Sequence, residues 1–184
     1  MSTTVLLLPG WHDSSPTHWQ SAWEAQYGYT RVQQHSWDRP LRGDWMAQLE
    51  EAVLAHATST LVAHGLACVL VAAWAAHSRL ATRVKSALLV SPVDVERAEM
   101  RQQLHSWSPI VRERLPFKSI LVVSRNDPFC SFLRTSAMAH DWGSQLIDAG
   151  VCGHVNADSL RGDWPQGHAL LKELLNQEEH IHGH

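Results

Sequence analysis

Short apolar segments alternate with longer amphipathic segments along the chain. The apolar segments are rich in Val, Ile and Leu and have the length of buried strands; they cover residues 4–8, 30–32, 60–63, 86–90 and 119–123. Apolar residues recur at helical spacing over residues 19–27, 45–56, 68–77, 132–142 and from 168 to about 177. This alternation predicts a three-layer α/β sandwich, in which helices cover both faces of a mostly parallel sheet.

The chain has the length and composition of one folded domain. Its 184 residues are 45% apolar, which is enough to bury a substantial core. The predicted domain covers residues 1–178, and residues 179–184 form a His-rich C-terminal tail. Residues 95–117 lack a clear strand pattern, and we expect them to pack as a helix and a loop over the ligand site.

Composition and charge exclude several classes of function. A net charge of −3 and dispersed Lys and Arg side chains argue against nucleic acid and against an anionic membrane surface as partners. The N-terminus has the pattern of a first strand rather than of a signal sequence. The three cysteines form no CxxC pair and are odd in number, so the expected compartment is the reducing cytoplasm. Without a metal-ligand set, a GxGxxG or a Walker motif, neither a metal nor a cofactor is expected.

Residues 59–77 combine a strand, a very tight turn and a helix. Small residues at Ala63 and Ala67 flank the turn, which is the steric pattern of a nucleophile elbow with its catalytic residue at the apex. The apex residue here is Gly65, which has no hydroxyl group. The same segment therefore indicates a catalytic site and lacks the central atom of that site.

A carboxylate and a histidine follow later strands in the chain order that a nucleophile elbow requires. Asp127 follows the strand at 119–123 within an Asn-Asp-Pro turn, and His154 lies in a loop ahead of the last helix. Ligand sites on parallel sheets lie outside the carboxyl ends of the strands, so we expect both residues to meet Gly65 there. Taken alone, Asp127 is also typical of a turn. Asp94, at another strand end, is the alternative acid.

Six separated motifs occur in one order along nearly the whole chain. They are Pro9-Gly10-Trp11, Ser14-x-x-Thr17-His18-Trp19-Gln20-x-x-Trp23-Glu24, Leu61-Val62-Ala63-His64-x-Leu66, Ser91-Pro92-x-Asp94-x-Glu96, Ser124-x-x-Asp127-Pro128 and Gly153-His154-x-Asn156-x-x-Ser159-x-x-Gly162-x-Trp164-Pro165. With them the chain resembles the small serine hydrolases around retinoblastoma-binding protein 9 and the YdeN-like bacterial proteins. The resemblance implies an α/β-hydrolase fold.

The resemblance also implies an activity and a set of site residues. The reaction would be hydrolysis of a carboxylic ester or an amide through an acyl-serine intermediate. The nucleophilic serine of the family maps to Gly65, the acid to Asp127 and the base to His154. The oxyanion hole would consist of the backbone N–H groups of Leu66 and Trp11, which do not depend on the serine side chain.

Gly65 has three interpretations. It is the natural residue of a pseudoenzyme that binds a small carboxylate or a partner's peptide; it is a substitution that traps a ligand or silences the activity; or its space holds a water that His154 activates as a general base. The helix N-terminal amides at 66 to 68 would favour an anion. Normal acyl-serine chemistry is excluded in each case, because loss of the serine costs such enzymes about a millionfold in turnover.

Other polar residues near the turn have structural interpretations. Cys68 lies one helical turn beyond the apex and is expected to be a small buried side chain. Ser14 and Ser15 are expected to cap the helix that follows them. His64 precedes the apex, and we expect its side chain to be structural and to point away from the apex.

Overall fold

The sheet has six strands, all parallel, in a computed structural model that describes residues 2–160 and 162–182, the last five without their side chains. The strands are β1 (Thr4–Leu8), β2 (Thr30–Arg31), β3 (Ser59–His64), β4 (Val84–Val90), β5 (Lys118–Val123) and β6 (Gln145–Asp148). Their spatial order is β2-β1-β3-β4-β5-β6, which places β3 and its following turn beside both β1 and β4. All carboxyl ends therefore face the same edge of the sheet.

A helix follows each strand, as the alternating pattern predicts. They are α1 (Trp19–Tyr27), α2 (Arg42–Leu54), α3 (Leu66–His77), α4 (Ala98–Arg101), α5 (Phe132–Trp142) and α6 (Pro165–His182). Helix α6 begins before residue 168 and extends beyond residue 177, so part of the predicted His-rich tail continues the helix. Residues 183–184 of that tail lie outside the described residues.

The strands bury one set of side chains on each face of the sheet, because neighbouring strand residues point to opposite faces. On one face, Leu6 and Leu8 belong to a core shared with α2, α3 and α5. On the other face, Val5 and Leu7 pack in a second core with α1 and α6. The prediction of a three-layer α/β sandwich is confirmed.

One strand is absent from the sequence prediction. The sixth strand, β6, is missing from it because its residues Gln145–Asp148 are mostly exposed and show no apolar run. The segment 95–117 is a short helix and a loop, as expected: it contains α4, a 3-10 turn at His105–Trp107 and an irregular stretch that leads into β5.

No helix in the described ranges is both long and apolar enough to cross a membrane.

Candidate active site

The turn between β3 and α3 has the backbone geometry of a tight elbow. Gly65 has φ 60° and ψ −122°, a conformation that side-chain-bearing residues adopt only with strain. Its N–H donates to the carbonyl oxygen of Val90 on β4 at 2.9 Å, which fixes the turn against the sheet. Glycine adopts this conformation freely, so the turn is formed here without the strain that a serine would carry.

An acid–base pair faces the apex of the elbow. Nδ1 of His154 lies 3.0 and 3.1 Å from the two carboxylate oxygens of Asp127, whose side chain is 3% exposed. On the far side of the ring, Nε2 lies 3.1 Å from the position that a Cβ atom would take at Gly65. The structure thus brings together the three positions that the sequence order links.

The carboxyl group of Asp127 has two partners. Besides facing His154, its Oδ1 accepts the backbone N–H of Phe129 at 2.9 Å, the hydrogen bond of an Asx turn. Asp127 is therefore a turn residue and also contacts His154. The turn bond also holds the carboxylate beside the histidine ring.

The alternative acid, Asp94, pairs with a cation instead. Its carboxylate oxygens lie 3.1 and 3.2 Å from the guanidinium of Arg134, which also contacts Glu96. Asp94 accepts the backbone N–H of Glu96 as well. With these partners, Asp94 anchors the loop after β4 to helix α5, and it is Asp127 that contacts the histidine.

The loop after β1 is pressed against the elbow. A Cβ atom at Gly10 would lie 2.7 Å from the carbonyl oxygen of His64 and 3.3 Å from the backbone nitrogen of Leu66. Only glycine permits this approach, since real Cβ contacts are longer than 3.0 Å. The next residue, Trp11, lines the same pocket as Gly65 and Leu66. Neither Trp11 nor Leu66 donates its backbone N–H to an acceptor within the described part of the chain.

The same loop is held in a strained conformation by charged side chains. His12 and Asp13 have φ values of 69° and 66°, which is uncommon for residues other than glycine. Nη1 of Arg31 binds the Asp13 carboxylate at 2.8 Å and the backbone oxygen of Ser14 at 3.2 Å. On the other side, the indole N–H of Trp11 donates to the carbonyl oxygen of Asp38. These contacts fix the loop that carries the Trp11 N–H.

We expect Gly10→Ala to lower the free energy of unfolding by about 2 kcal/mol. The added methyl group would overlap backbone atoms, which cannot move aside as a flexible side chain can. Urea denaturation monitored by tryptophan fluorescence measures this change. Gly43→Ala is the matched control, since a Cβ atom at this position in α2 meets nothing within 4 Å. Equal stability of the two variants would contradict the close approach of Gly10 to the elbow.

Two further histidines lie next to His154. Nε2 of His64 donates to the backbone oxygen of His154 at 2.8 Å, and the two rings are 4.7 Å apart. His64 therefore has the expected structural role, since it holds the loop that carries the base; its ring also packs beside His154 and lines the site. His18 packs edge-on against the other side of His64, with ring centroids 4.7 Å apart.

Burial keeps both of these histidines neutral. Desolvation, followed by the nearby His154, holds the pKa of His64 well below its usual value. The same causes lower the pKa of His18 to about 3, with Arg31 contributing. A neutral His64 and a neutral His18 place no fixed positive charge beside the base.

Stability should fall as the pH drops below about 6.5. In that range the unfolded chain binds protons on His18 and His64, whereas the folded chain does not until near pH 3 for His18. The free energy of unfolding is expected to decrease by about 1.4 kcal/mol per pH unit for each histidine. Urea denaturation at pH 7 and at pH 5.5 measures this decrease in the free energy of unfolding. His18→Asn should reduce the slope, and an unchanged slope would contradict the neutral state of His18.

The site opens into a pocket of about 580 Å³. Its walls come from the loop after β1, the elbow, Val93, Phe129 and the loop at 154–158. The expectation that residues 95–117 cover the site is wrong, because no residue of that segment lines this pocket. Instead, Gln102, Gln103 and His105 line a neighbouring depression of about 610 Å³ on the other side of Trp11.

Cys68 and Ser14 have structural contacts. Cys68 is buried, its Sγ faces the Val90 carbonyl oxygen at 3.4 Å, and burial raises the pKa of its thiol. Ser14 does not cap α1, because its hydroxyl donates to the side chain of Gln20; the cap is Nδ1 of His18, which accepts the Gln20 backbone N–H at 3.0 Å. The described residues contain no group of three or more side chains that could hold a metal.

Known proteins share both the sequence pattern and the fold. The sequence model of the serine hydrolase family matches residues 5–173. No curated protein matches the chain significantly. Among solved structures, a YdeN-like hydrolase from Pectobacterium atrosepticum is 26% identical with a TM-score of 0.84, over 95% of this chain and 91% of that chain.

More distant structures share the fold alone. The ydeN gene product of B. subtilis is 17% identical, with a TM-score of 0.76 over 95% of this chain and all of that chain. Esterase 2 of Thermogutta terrifontis is 16% identical, with a TM-score of 0.68 over 96% of this chain and 83% of that chain.

Proposed function

The chain belongs to the serine hydrolase family, and from this premise we propose that its pocket is a carboxylesterase-like site that lacks its nucleophile. His154 would be the base, Asp127 the acid that orients it, and the N–H groups of Trp11 and Leu66 the oxyanion hole. Gly65 occupies the position of the serine. With glycine at this position, an ester would bind in the site without forming an acyl-enzyme.

The distance between Gly65 and the base carries the proposal. A side chain at residue 65 would begin 3.1 Å from Nε2 of His154, and the opposite ring nitrogen faces the Asp127 carboxylate. This is the relation of nucleophile, base and orienting acid in serine hydrolases. The space in front of Nε2 is also where a water would have to lie for His154 to act on it directly. Such a reaction would lack the covalent step and its rate advantage.

A second function, binding of a small carboxylate, has its own support. The Trp11 and Leu66 N–H groups have no acceptor among the described residues, and Leu66 begins helix α3. An anion is favoured at such a helix terminus. The Cys68 N–H donates to the Gly65 carbonyl oxygen at 3.1 Å, so it does not contribute as the sequence suggested. A protein partner's peptide with a free C-terminal carboxylate would bind the same groups. We propose that the protein acts in the cytoplasm with either ligand.

A pair of measurements on the unmodified chain tests these functions. A fluorophosphonate probe, which requires an activated serine, should leave the protein unlabelled. Butyrate should shift the backbone amide signals of Trp11 and Leu66 in a ¹H–¹⁵N NMR titration, while that of exposed Gly43 serves as the control. Labelling by the probe would contradict the absence of a nucleophile. Unchanged amide signals would contradict carboxylate binding at the oxyanion hole.

A further inference from the structure

His18 has one ring nitrogen engaged and the other without a partner. Nδ1 accepts the backbone N–H of Gln20 and thereby caps helix α1. Because Nδ1 accepts, the neutral ring carries its proton on Nε2. Nε2 is buried and meets no acceptor among the residues that the structure describes. A buried N–H without an acceptor is destabilising, so a partner supplied from outside the chain would stabilise it.

The pocket is the place from which such a partner can come. His18 is 4% exposed, and its ring forms part of the pocket wall. No hydrogen bond joins Nε2 of His18 to the neighbouring ring of His64, which directs its own Nε2 to the His154 backbone oxygen. Trp19, which packs against His18 on the other side, directs its indole N–H to Val155. A bound ligand is thus the acceptor that the geometry leaves for His18.

The neutral state of His18 limits which groups of a ligand it would bind. Burial and the positive groups around the ring lower its pKa to about 3, so it is a neutral donor throughout the neutral range. A neutral N–H pairs well with an ether, hydroxyl or carbonyl oxygen and does not require an anion. The oxyanion hole already accounts for the oxygen of the reacting carbonyl group.

We infer that His18 binds a second acceptor oxygen of the ligand, so that the pocket prefers esters with an ether, hydroxyl or carbonyl oxygen besides the ester group. This inference rests on the proposed esterase-like site. His18 is then a substrate-binding residue, and its contribution is to selectivity rather than to the chemical step.

Two variants separate the binding role from the helix cap. His18→Asn keeps an oxygen that can accept the Gln20 N–H but has no donor at the Nε2 position. His18→Gln extends an amide N–H₂ to that position and gives up the cap. A structural role alone predicts that His18→Gln is the more damaging change, whereas the binding role predicts that His18→Asn loses selectivity. Thermal unfolding of both variants reports on the cap.

Selectivity is measured in the Gly65→Ser background with two pairs of nearly isosteric esters. The first pair, p-nitrophenyl methoxyacetate and butyrate, varies the acyl part; the second, 2-methoxyethyl acetate and butyl acetate, varies the alcohol. His18→Asn should reduce the ratio of kcat/KM values in one pair by about fivefold, and His18→Gln should retain it. Intrinsic reactivity cancels, because each ratio is compared between variants. Unchanged ratios in both pairs would overturn the inference.

A spectroscopic measurement on the unmodified chain does not depend on turnover. In ¹H–¹⁵N spectra of histidine side chains, methoxyacetate should move the His18 Nε2–H signal, and butyrate should move it much less. Failure of methoxyacetate to move this signal at any concentration would overturn the inference. If Gly65→Ser shows no activity while the signal responds, the proposed esterase chemistry fails and the binding role of His18 stands.

Discussion

Gly65→Ser is expected to raise the hydrolysis of short-chain p-nitrophenyl esters by about 10³- to 10⁶-fold, the range that separates serine hydrolases from variants without their nucleophile. The added Cβ would lie 3.1 Å from Nε2 of His154, and the hydroxyl beyond it would come within hydrogen-bond reach of that nitrogen. The base requires only a displacement of a few tenths of an ångström. The other groups of the site are backbone amides and a carboxylate already in contact with the base.

The same substitution should destabilise the protein. A serine held at φ 60° and ψ −122° stores about 1 to 3 kcal/mol of backbone strain. The loss of glycine offsets about 0.5 to 1 kcal/mol of this, because the unfolded chain becomes less flexible. We therefore expect the free energy of unfolding to fall by about 1 kcal/mol while the activity rises.

Gly65→Ala is the matched control for both effects. It carries the same Cβ and the same backbone strain but no hydroxyl, so it should lose stability like the serine variant and gain no activity. Ester hydrolysis and fluorophosphonate labelling are measured on the unmodified chain and on both variants. If the serine variant were neither labelled nor active, residue 65 would not be the nucleophile position. Equal activity of the alanine variant would point to another route of hydrolysis.

The fold was predictable wherever apolar runs are long and buried. Strand β1 at Thr4–Leu8 and the helices Trp19–Tyr27 and Phe132–Trp142 have the predicted bounds, because their burial follows their periodicity. Strand β6 was not predictable in this way. As an edge strand it pairs with β5 through its backbone and leaves most of its side chains exposed, so its residues show neither an apolar run nor a buried face.

The positions of the site were predictable from chain order, and its surroundings were not. Parallel strands bring their carboxyl ends to one edge, so the order of Gly65, Asp127 and His154 was enough to place them near one another. The contact of His64 with the backbone of His154 joins residues 90 positions apart, and no local pattern encodes it. The walls of the pocket depend on the same kind of long-range contact. For this reason the local sequence pattern led to the incorrect expectation that residues 95–117 cover the site.

The helix cap shows why a local motif can mislead. Ser14 and Ser15 precede α1 and are good capping residues, yet His18 fills the cap position. The hydroxyl of Ser14 is taken by Gln20, whose amide nitrogen reaches the carbonyl oxygens of Leu8 and Val62. Gln20 is buried and joins β1 and β3 through these contacts. Because Gln20 also binds the Ser14 hydroxyl, the helix is capped by His18 instead of Ser14.

Asp127→Asn in the Gly65→Ser background is expected to lower kcat by about 10⁴-fold with little loss of stability. The asparagine oxygen can still accept the Phe129 N–H, as Oδ1 of Asp127 does at 2.9 Å. Its amide N–H₂ then faces Nδ1 of His154 and donates where the carboxylate accepted. The ring must shift its proton to Nε2, which leaves it unable to take the proton of a serine at position 65.

The control for this variant is the other carboxylate at a strand end. Asp94→Asn should change kcat only a few-fold, because Asp94 contacts Arg134 rather than His154 and Glu96 still holds that guanidinium. Steady-state kinetics with p-nitrophenyl butyrate, together with thermal unfolding, measure both variants. A large loss of kcat in Asp94→Asn with Asp127→Asn unaffected would assign the acid to Asp94. Because the two substitutions make the same chemical change, such a result would mean that the contact of Asp127 with His154 does not set the proton position of the ring.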